Sequence, residues 1–181
     1  QTLLTGAPEL ANVSAKNGDK AFKRNDSRGL VDWAFLERLR ERWPRTLIVK
    51  GVLSGEDAKR IRSAGADGIY VSNHGGRQLA SAPPTIQMLP MIRDAVGDDY
   101  PLLFDSGIRN GEGVIKALAL GADFVMMGRP FLYGVGADGA AGLKSVIEVL
   151  SNEISVTMAQ LGHTDIEDID RTVLVGGGDS K

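Results

Sequence analysis

The chain has 181 residues, of which 43% are hydrophobic and 24% are charged, so its composition is that of one folded domain or part of a larger one. Its 21 basic and 23 acidic residues give a net charge of −2, which excludes the basic field of a nucleic-acid-binding protein. With no Cys and two His, disulfide scaffolds, thiol nucleophiles and Cys-based zinc sites are excluded, and we predict no metal site.

The two ends of the chain differ in composition from the middle. Residues 1–30 are polar and show no sustained hydrophobic period, which predicts a loop or mobile segment. The first residue is Gln1 rather than Met, as expected of an interior fragment of a longer protein. The glycine-rich residues 176–181 predict a frayed tail, which leaves 31–175 as the folded part.

Helices and strands are predicted in strict alternation along this folded part. Amphipathic or capped stretches predict helices at 33–42, 54–65, 85–96, 113–120 and 139–161. Short runs rich in Val, Ile, Leu and Phe predict strands at 47–52, 68–73, 101–105 and 124–128. Such strands lack polar alternation, which predicts that they are buried on both faces, in a parallel sheet covered by helices.

Alternating βα units occur in open doubly wound sheets and in closed barrels. No G-x-G-x-x-G motif follows the first strand, and the turns at 65–67 and 121–123 share the letters Gly-Ala-Asp. Four such units therefore predict half of a TIM (β/α)₈ barrel, a fold that takes about 250 residues when whole.

Polar and glycine residues at the ends of the predicted strands all fall at one end of this barrel. Lys50 closes the first strand, His74 and Arg77 follow the second, Asp105 and Arg109 follow the buried part of the third, and Gly128 and Arg129 that of the fourth. Barrel enzymes keep their active sites at this C-terminal face, whereas a purely structural role would scatter polar residues over both ends. The clustering therefore favours catalysis.

The segment from Ser72 to Gln78 holds the strongest catalytic signal. Histidine is the residue type best suited to proton abstraction near neutral pH, so His74 is a candidate base, and the planar guanidinium of Arg77 can bind a carboxylate through two hydrogen bonds. Together they predict chemistry at the carbon alpha to an acid group. The alternative, a hydrogen-bonded His and a surface Arg in a glycine turn, stays open on the local sequence alone.

The two later loops predict a phosphate site. Glycine-containing loops after barrel strands often bind phosphate through backbone N–H groups, and Arg109 and Arg129 would add charge. Ordinary glycine turns with solvated arginines are the competing interpretation. Lys50 would stabilise anionic charge in a pocket, unless it is a strand-end lysine that reaches water.

Four motifs resemble the FMN-dependent L-2-hydroxyacid oxidase and dehydrogenase family, which includes glycolate oxidase and the L-lactate and (S)-mandelate dehydrogenases. The motifs are V-K-G-V at 49–52, S-N-H-G-G-R-Q-L at 72–79, D-S-G-I-R at 105–109 and A-L-G-A-D-F-V-M-M-G-R-P at 119–130. The resemblance covers about residues 31–170, in the order of the last four βα units of that family's barrel.

The resemblance implies FMN as the cofactor and oxidation of an L-2-hydroxy acid, of lactate or mandelate type, to the 2-keto acid. Electrons would pass to a quinone or cytochrome, or to oxygen. His74 would be the active-site base and Arg77 the ligand of the substrate carboxylate. The FMN ligands would be Lys50 and Ser72 at the flavin ring, Asp105, Gly107 and Arg109 at the ribityl phosphate, and Gly128 and Arg129 at the phosphate itself.

The sequence departs from the family pattern in two ways. Ala80 stands where the family usually has Asp, which puts the stability of that loop in doubt more than the chemistry. The first four βα units are absent, so we expect the chain to function with its N-terminal half, in a homo-oligomer that is a tetramer in the family. The expected location is cytoplasmic. Residues 1–30 would end the loop by which the membrane-associated branch meets the bilayer, which leaves peripheral contact with the inner membrane as an option.

Two other function classes remain as alternatives. A phosphate-binding barrel, such as an isomerase or aldolase, would explain Arg109 and Arg129 but not the pairing of His74 with Arg77. A catalytically silent half-barrel would serve as an assembly or ligand-binding module.

Overall fold

The protein is described here by a computed structural model that covers residues 31–175; the predictions for 1–30 and 176–181 lie outside the described residues. The helices are α1 (Trp33–Arg42), α2 (Gly55–Ser63), α3 (Thr85–Val96), α4 (Gly111–Ala119) and α5 (Arg129–Leu161). The strands are β1 (Ile48–Val52), β2 (Gly68–Val71), β3 (Leu102–Phe104) and β4 (Phe124–Val125). Short 3₁₀ turns lie at His74–Gly76, Ile166–Asp168 and Arg171–Val173.

The chain divides into two compact units, residues 1–42 and 43–181. The described part of the first unit contains α1, whose bounds agree with the sequence prediction. Asp32 lies just before this helix, and its carboxylate accepts a hydrogen bond from the backbone N–H of Phe35 at 2.7 Å. This contact satisfies a donor that the first turn of a helix otherwise leaves unpaired.

The second unit is built on a parallel sheet with the strand order β1-β2-β3-β4. A doubly wound sheet reverses its strand order at a switch point, whereas a barrel wall adds each strand beside the one before it. The sequential order therefore confirms the predicted partial (β/α)₈ barrel. Helices α2, α3 and α4 connect the strands and pack against them.

Only one face of the sheet is covered within the described chain. Side chains that alternate toward the helices are fully buried: Ile69, Val71, Leu102 and Phe104. The opposite face carries a row in register across the sheet, formed by Lys50, Tyr70, Leu103 and Phe124. Phe124 is 59% exposed, so the expectation of cover on both faces is wrong for this chain alone. A barrel interior is filled by side chains from eight strands, and these residues supply four of the strands.

Two element boundaries near the end of the sheet differ from the prediction. Among residues 31–175, β4 pairs with β3 alone, and it ends at Val125 instead of continuing to 128. Met126 therefore lies beyond the strand and is exposed. Helix α5 begins at Arg129, ten residues before the predicted start. Pro130 lies in its first turn, where proline is tolerated because the N–H groups there have no partner within the helix.

Helix α5 is divided in two by non-helical dihedral angles at Asp138 and Gly139. Its two segments meet at Gly134 and Gly142 so closely that a Cβ on either residue would clash with the backbone of the other. The segment after the break packs on α4, and with the C-terminal 3₁₀ turns it encloses a small apolar core around Ile115.

A buried arginine ties together the loops at the N-terminal end of the sheet. Arg93 on α3 is 5% exposed. Its guanidinium donates hydrogen bonds of 2.7–2.8 Å to the carbonyls of Gly97, Tyr100 and Gly121 and to the carboxylate of Asp123. The same carboxylate accepts the backbone N–H of Leu102 at the start of β3. One side chain thus holds the entries to both β3 and β4.

We predict that Arg93→Met lowers the free energy of unfolding by about 3 kcal/mol, because several acceptors near the core lose their donor at once. Urea unfolding measures this loss. The matched control is Lys116→Met, which removes an exposed pair with Glu112 at 3.3 Å and should cost less than about 0.5 kcal/mol. Equal losses in the two variants would contradict the role assigned to Arg93.

Candidate active site

A cleft of about 290 Å³ opens at the C-terminal end of the sheet, between the segments that follow the four strands. Eight of the nine predicted site residues line it: Lys50, His74, Arg77, Asp105, Gly107, Arg109, Gly128 and Arg129. The ninth, Ser72, is 2% exposed and lies beneath the cleft. The structure brings the predicted residues together, and their individual roles stay predictions.

Lys50 and Asp105 form an ion pair at the floor of the cleft. The Nζ atom of Lys50 lies 3.0 Å from Oδ2 of Asp105 and donates a hydrogen bond of 2.8 Å to Oγ of Ser72. These contacts join β1, β2 and β3 at their C-terminal ends. The Nζ atom also lies 3.8 Å from the centroid of the Tyr70 ring, which is a cation–π contact.

The surroundings of Asp105 keep its carboxyl group ionised. Partial burial opposes ionisation, but hydrogen bonds from Ser106, Ser72, Lys50 and Tyr70 outweigh it and lower the pKa of Asp105 below its ordinary 3.8. Ser106 Oγ donates a hydrogen bond of 2.6 Å to Oδ1 of Asp105, shorter than the 3.0 Å between Lys50 Nζ and Oδ2. Burial, and then the bond to Asp105, raise the pKa of Tyr70 well above its ordinary 10.0. Near pH 7 the site therefore contains a carboxylate and a neutral phenol.

The loop that carries His74 is held in a strained backbone conformation. His74 and Ser106 have φ values of 58° and 80°, and they are the two non-glycine residues with positive φ in the part of the chain that the structure describes. Such conformations cost on the order of 1–3 kcal/mol each. The backbone N–H of His74 donates to Ser72 Oγ at 3.1 Å, and that of Gly75 donates to Ser106 Oγ at 3.1 Å. The two hydroxyls thus support the strained loop that places His74 in the cleft.

Three residues of the site were not singled out from the sequence. Thr85, at the start of α3, is 1% exposed, and its hydroxyl donates to the carbonyls of Asp105 at 2.8 Å and Ser106 at 3.0 Å. Ser106 and Tyr70 both support Asp105. The sequence offers one indication of these residues, which is that Ser106 directly follows Asp105. Nothing local pairs Tyr70 with Lys50, since that contact depends on the register between two strands.

The cleft is strongly cationic. Its lining includes four cationic side chains, those of Lys50, Arg77, Arg109 and Arg129, and one carboxylate, that of Asp105. Since Lys50 neutralises Asp105, the three guanidinium groups remain to bind anions. Helix α5 begins at Arg129, and the residue before it, Gly128, provides no side-chain cap, so the N–H groups of the first turn are also available.

This donor set fits FMN, which carries a phosphate. Guanidinium groups and the N–H groups at a helix start are the donors that bind phosphate best in proteins. Gly107 has a φ of 102° and open space where a Cβ would stand, so its backbone conformation, rather than crowding, calls for glycine. A loop of this kind can turn its N–H groups toward a ligand.

A larger cleft of about 1050 Å³ lies at the other end of β4, beside the C-terminal 3₁₀ turns. None of the predicted site residues lines it. Both arginines in its lining are paired with carboxylates, Arg93 with Asp123 and Arg171 with Asp94, both at 2.7 Å. Three further carboxylates line it, those of Asp98, Glu167 and Asp170, so this cleft suits an anionic ligand less well than the smaller one. Among residues 31–175 no cluster of three metal-binding side chains is found, and no helix there could cross a membrane.

We predict a pH-dependent stability that arises from Asp105. Because its folded-state pKa lies below the ordinary 3.8, its contribution is complete above that pH and is lost as the pH falls through the folded-state pKa. Urea midpoints measured between pH 2.5 and 6 should fall more steeply below about pH 4 for the wild type than for Asp105→Asn. Parallel profiles would show that Asp105 is not stabilised as an anion.

Comparison with known proteins gives consistent results. Residues 3–176 match the family model for FMN-dependent dehydrogenase. The chain is 47% identical over 181 residues to an L-lactate dehydrogenase of Pseudomonas syringae, covering 95% of this chain and 47% of that protein. It is 49% identical over 136 residues to an L-lactate oxidase of Lactobacillus jensenii, covering 75% of this chain and 33% of that protein.

Solved structures show the same similarity. A soluble mutant of the (S)-mandelate dehydrogenase of Pseudomonas putida matches with a TM-score of 0.75 and 44% sequence identity. The match covers 78% of this chain and 40% of the mandelate dehydrogenase chain. A structure described as monotopic membrane protein (S)-mandelate dehydrogenase has a TM-score of 0.82 and 38% identity, covering 96% of this chain and 47% of its own. The chain thus spans about half the length of these relatives. The match of the family model to nearly all of its residues shows that it belongs to the FMN-dependent dehydrogenase family.

Proposed function

We propose that this chain supplies the C-terminal half of an enzyme that uses FMN to oxidise an L-2-hydroxy acid, of lactate or mandelate type, to the 2-keto acid. The observation that carries the proposal is the meeting of His74, Arg77 and Lys50 in one cleft. The named relatives, which are lactate and mandelate dehydrogenases and lactate oxidases, support this substrate class. Membership of an FMN-dependent family gives no support to the isomerase or aldolase alternative.

Arg77 binds the carboxylate of the substrate. Its side chain lines the cleft and is exposed, so its guanidinium group is accessible to a small acid. A bidentate pair with a carboxylate fixes both the position and the plane of the acid group. The hydroxyl-bearing carbon beside that group is thereby held near His74, three residues earlier in the chain.

His74 accepts the proton that the oxidation releases. It takes the hydroxyl proton if a hydride leaves the alpha carbon, or the alpha proton if a carbanion forms. Both routes need a neutral imidazole at the substrate, and both would leave a positive charge on His74. The hydroxyls of Ser72 and Ser106 hold the backbone from which the His74 ring projects.

FMN, when bound, accepts the two electrons of the oxidation. Lys50 would stabilise the negative charge that develops on the flavin ring. Ser72 would hold Lys50 in place and contact the edge of the ring. Gly107, Arg109 and the Asp105 segment would hold the ribityl phosphate, and Gly128 and Arg129 would hold the phosphate at the start of α5. The cationic lining of the cleft supports this assignment.

The proposal includes partners beyond the substrate. The N-terminal half of the barrel would cover the exposed face of the sheet, and the assembled enzyme would be a homo-oligomer. The acceptor of the electrons would be a quinone or cytochrome, or oxygen. The similarity to a mandelate dehydrogenase described as monotopic supports peripheral contact with a membrane, which flotation of the purified protein with lipid vesicles tests.

The visible absorption spectrum of the natively purified protein tests the proposed function. We expect a yellow protein that bleaches when L-lactate or L-mandelate is added without oxygen. A denaturing gel run beside it would show the N-terminal half, as a separate fragment or as part of a longer chain. A colourless protein that binds no added FMN in the presence of that half would overturn the proposal.

We predict that His74→Gln keeps bound FMN but lowers kcat by about 10²- to 10⁴-fold, the usual contribution of a general base. Stopped-flow reduction of the flavin measures this effect. The matched control is His163→Gln, which changes the only other histidine of the sequence, outside the cleft, and should leave reduction unchanged. Wild-type reduction in His74→Gln would show that the base is another group.

We predict that Arg77→Lys weakens binding of the acid by about tenfold or more, because a point charge replaces a planar bidentate donor. Titration of the oxidised enzyme with oxalate, followed by the change in the flavin spectrum, measures the Kd directly. Affinity for FMN should be unaffected. An unchanged Kd for oxalate would remove Arg77 from the carboxylate site.

A further inference from the structure

We propose that Tyr70 is a positioning residue that holds the Lys50 ammonium group in place through the face of its ring. The inference rests on the proposed function, in which Lys50 stabilises negative charge on bound FMN. Tyr70 does not line the cleft, so it would act through Lys50 and not by touching the ligand.

The geometry places the ring directly beside the ammonium group. Lys50 and Tyr70 are partners in the register between β1 and β2, and the Nζ atom lies 3.8 Å from the ring centroid. Ser72, which directly follows β2, accepts a hydrogen bond from the same Nζ atom at 2.8 Å. Asp105 on the next strand lies 3.0 Å from it. The ammonium group therefore has a separate contact to each of three side chains.

The Lys50 side chain needs these contacts because the strand around it is irregular and does little to fix its position. The register between β1 and β2 shifts directly after Lys50, at Gly51, where φ is 94°. The Lys50 side chain is 45% exposed, and an ion pair that exposed contributes little free energy and does not by itself fix a long side chain. A ring face adds an attraction of defined direction.

The ring face and the carboxylate affect the ammonium group differently. Asp105 carries a full negative charge and so reduces the field that Lys50 exerts on a ligand. The Tyr70 ring attracts the cation through its quadrupole and adds no net charge. It thus fixes the cation while leaving its charge available to the cleft.

The Tyr70 hydroxyl acts on the other member of the pair. The hydroxyl contributes to the low pKa of the Asp105 carboxyl, and the pKa of Tyr70 is itself raised, first by burial and then by Asp105. The ring thus contacts the ammonium group, and the hydroxyl affects the ionisation of the carboxylate. The ring and the hydroxyl can be separated experimentally, since Tyr70→Phe removes only the hydroxyl and Tyr70→Leu removes both.

The midpoint potential of FMN in the complete, flavin-loaded protein tests the role of the ring. We expect Tyr70→Leu to reduce the preference for reduced over oxidised FMN by roughly tenfold, or about 30 mV for a two-electron couple. Tyr70→Phe should stay within about twofold of the wild type. The matched control, Tyr133→Leu, changes an exposed tyrosine that does not line the cleft and should leave the potential unchanged.

A double-variant cycle shows whether Tyr70 acts through Lys50. In a Lys50→Met background the ammonium group is gone, so Tyr70→Leu should no longer change the potential. The same tenfold effect in both backgrounds would overturn the proposal, and so would an unchanged potential in Tyr70→Leu itself. Thermal midpoints of all variants identify any that fail to fold.

A measurement without flavin separates this inference from the proposed function. In the FMN-free protein labelled with ¹³C-lysine, the ring current should shift the Cε protons of Lys50 upfield in the wild type and in Tyr70→Phe, but not in Tyr70→Leu. Absence of that shift in the wild type overturns the contact. If the shift is present while the protein neither binds nor reduces FMN, the contact stands and the proposed function fails.

Discussion

The ion pair between Lys50 and Asp105 joins the first and third strands of the sheet across the second, where the cleft opens. Each charge is held by a serine hydroxyl that also accepts a backbone N–H from the His74 loop. Ser72 thus links Lys50 to His74, and Ser106 links Asp105 to Gly75. The residue assigned to proton transfer is therefore positioned by the same contacts that position the cation assigned to the flavin.

The location of this site could be predicted because it follows from local signals and one rule of topology. Buried strands, helix ends and the residues after each strand are visible in short windows of sequence, and parallel strands bring their C-terminal ends to one edge. Lys50, His74 and Asp105 are far apart in the chain but needed only this rule to be placed together. The family resemblance added roles to these positions; the rule alone had indicated a catalytic face.

The supporting contacts could not be predicted, since they depend on register and on where elements stop. Tyr70 reads as an ordinary strand residue until its alignment with Lys50 is known. Thr85 reads as a helix start, although its hydroxyl holds two carbonyls of a loop twenty residues away. The end of β4 at Val125 also depends on pairing, since its register with β3 stops there.

The exposed face of the sheet and the cleft are parts of one surface. Lys50 belongs both to the cleft lining and to the row that it forms with Tyr70, Leu103 and Phe124. In the proposed complete enzyme, the N-terminal half that covers this row would also exclude water from the ion pair and strengthen its electrostatic contacts. Any ligand held by both halves would in turn stabilise their association, because binding to the assembled form shifts the equilibrium toward it. Cofactor binding and closure of the barrel are then coupled through Lys50 and Tyr70, which lie where the two surfaces meet.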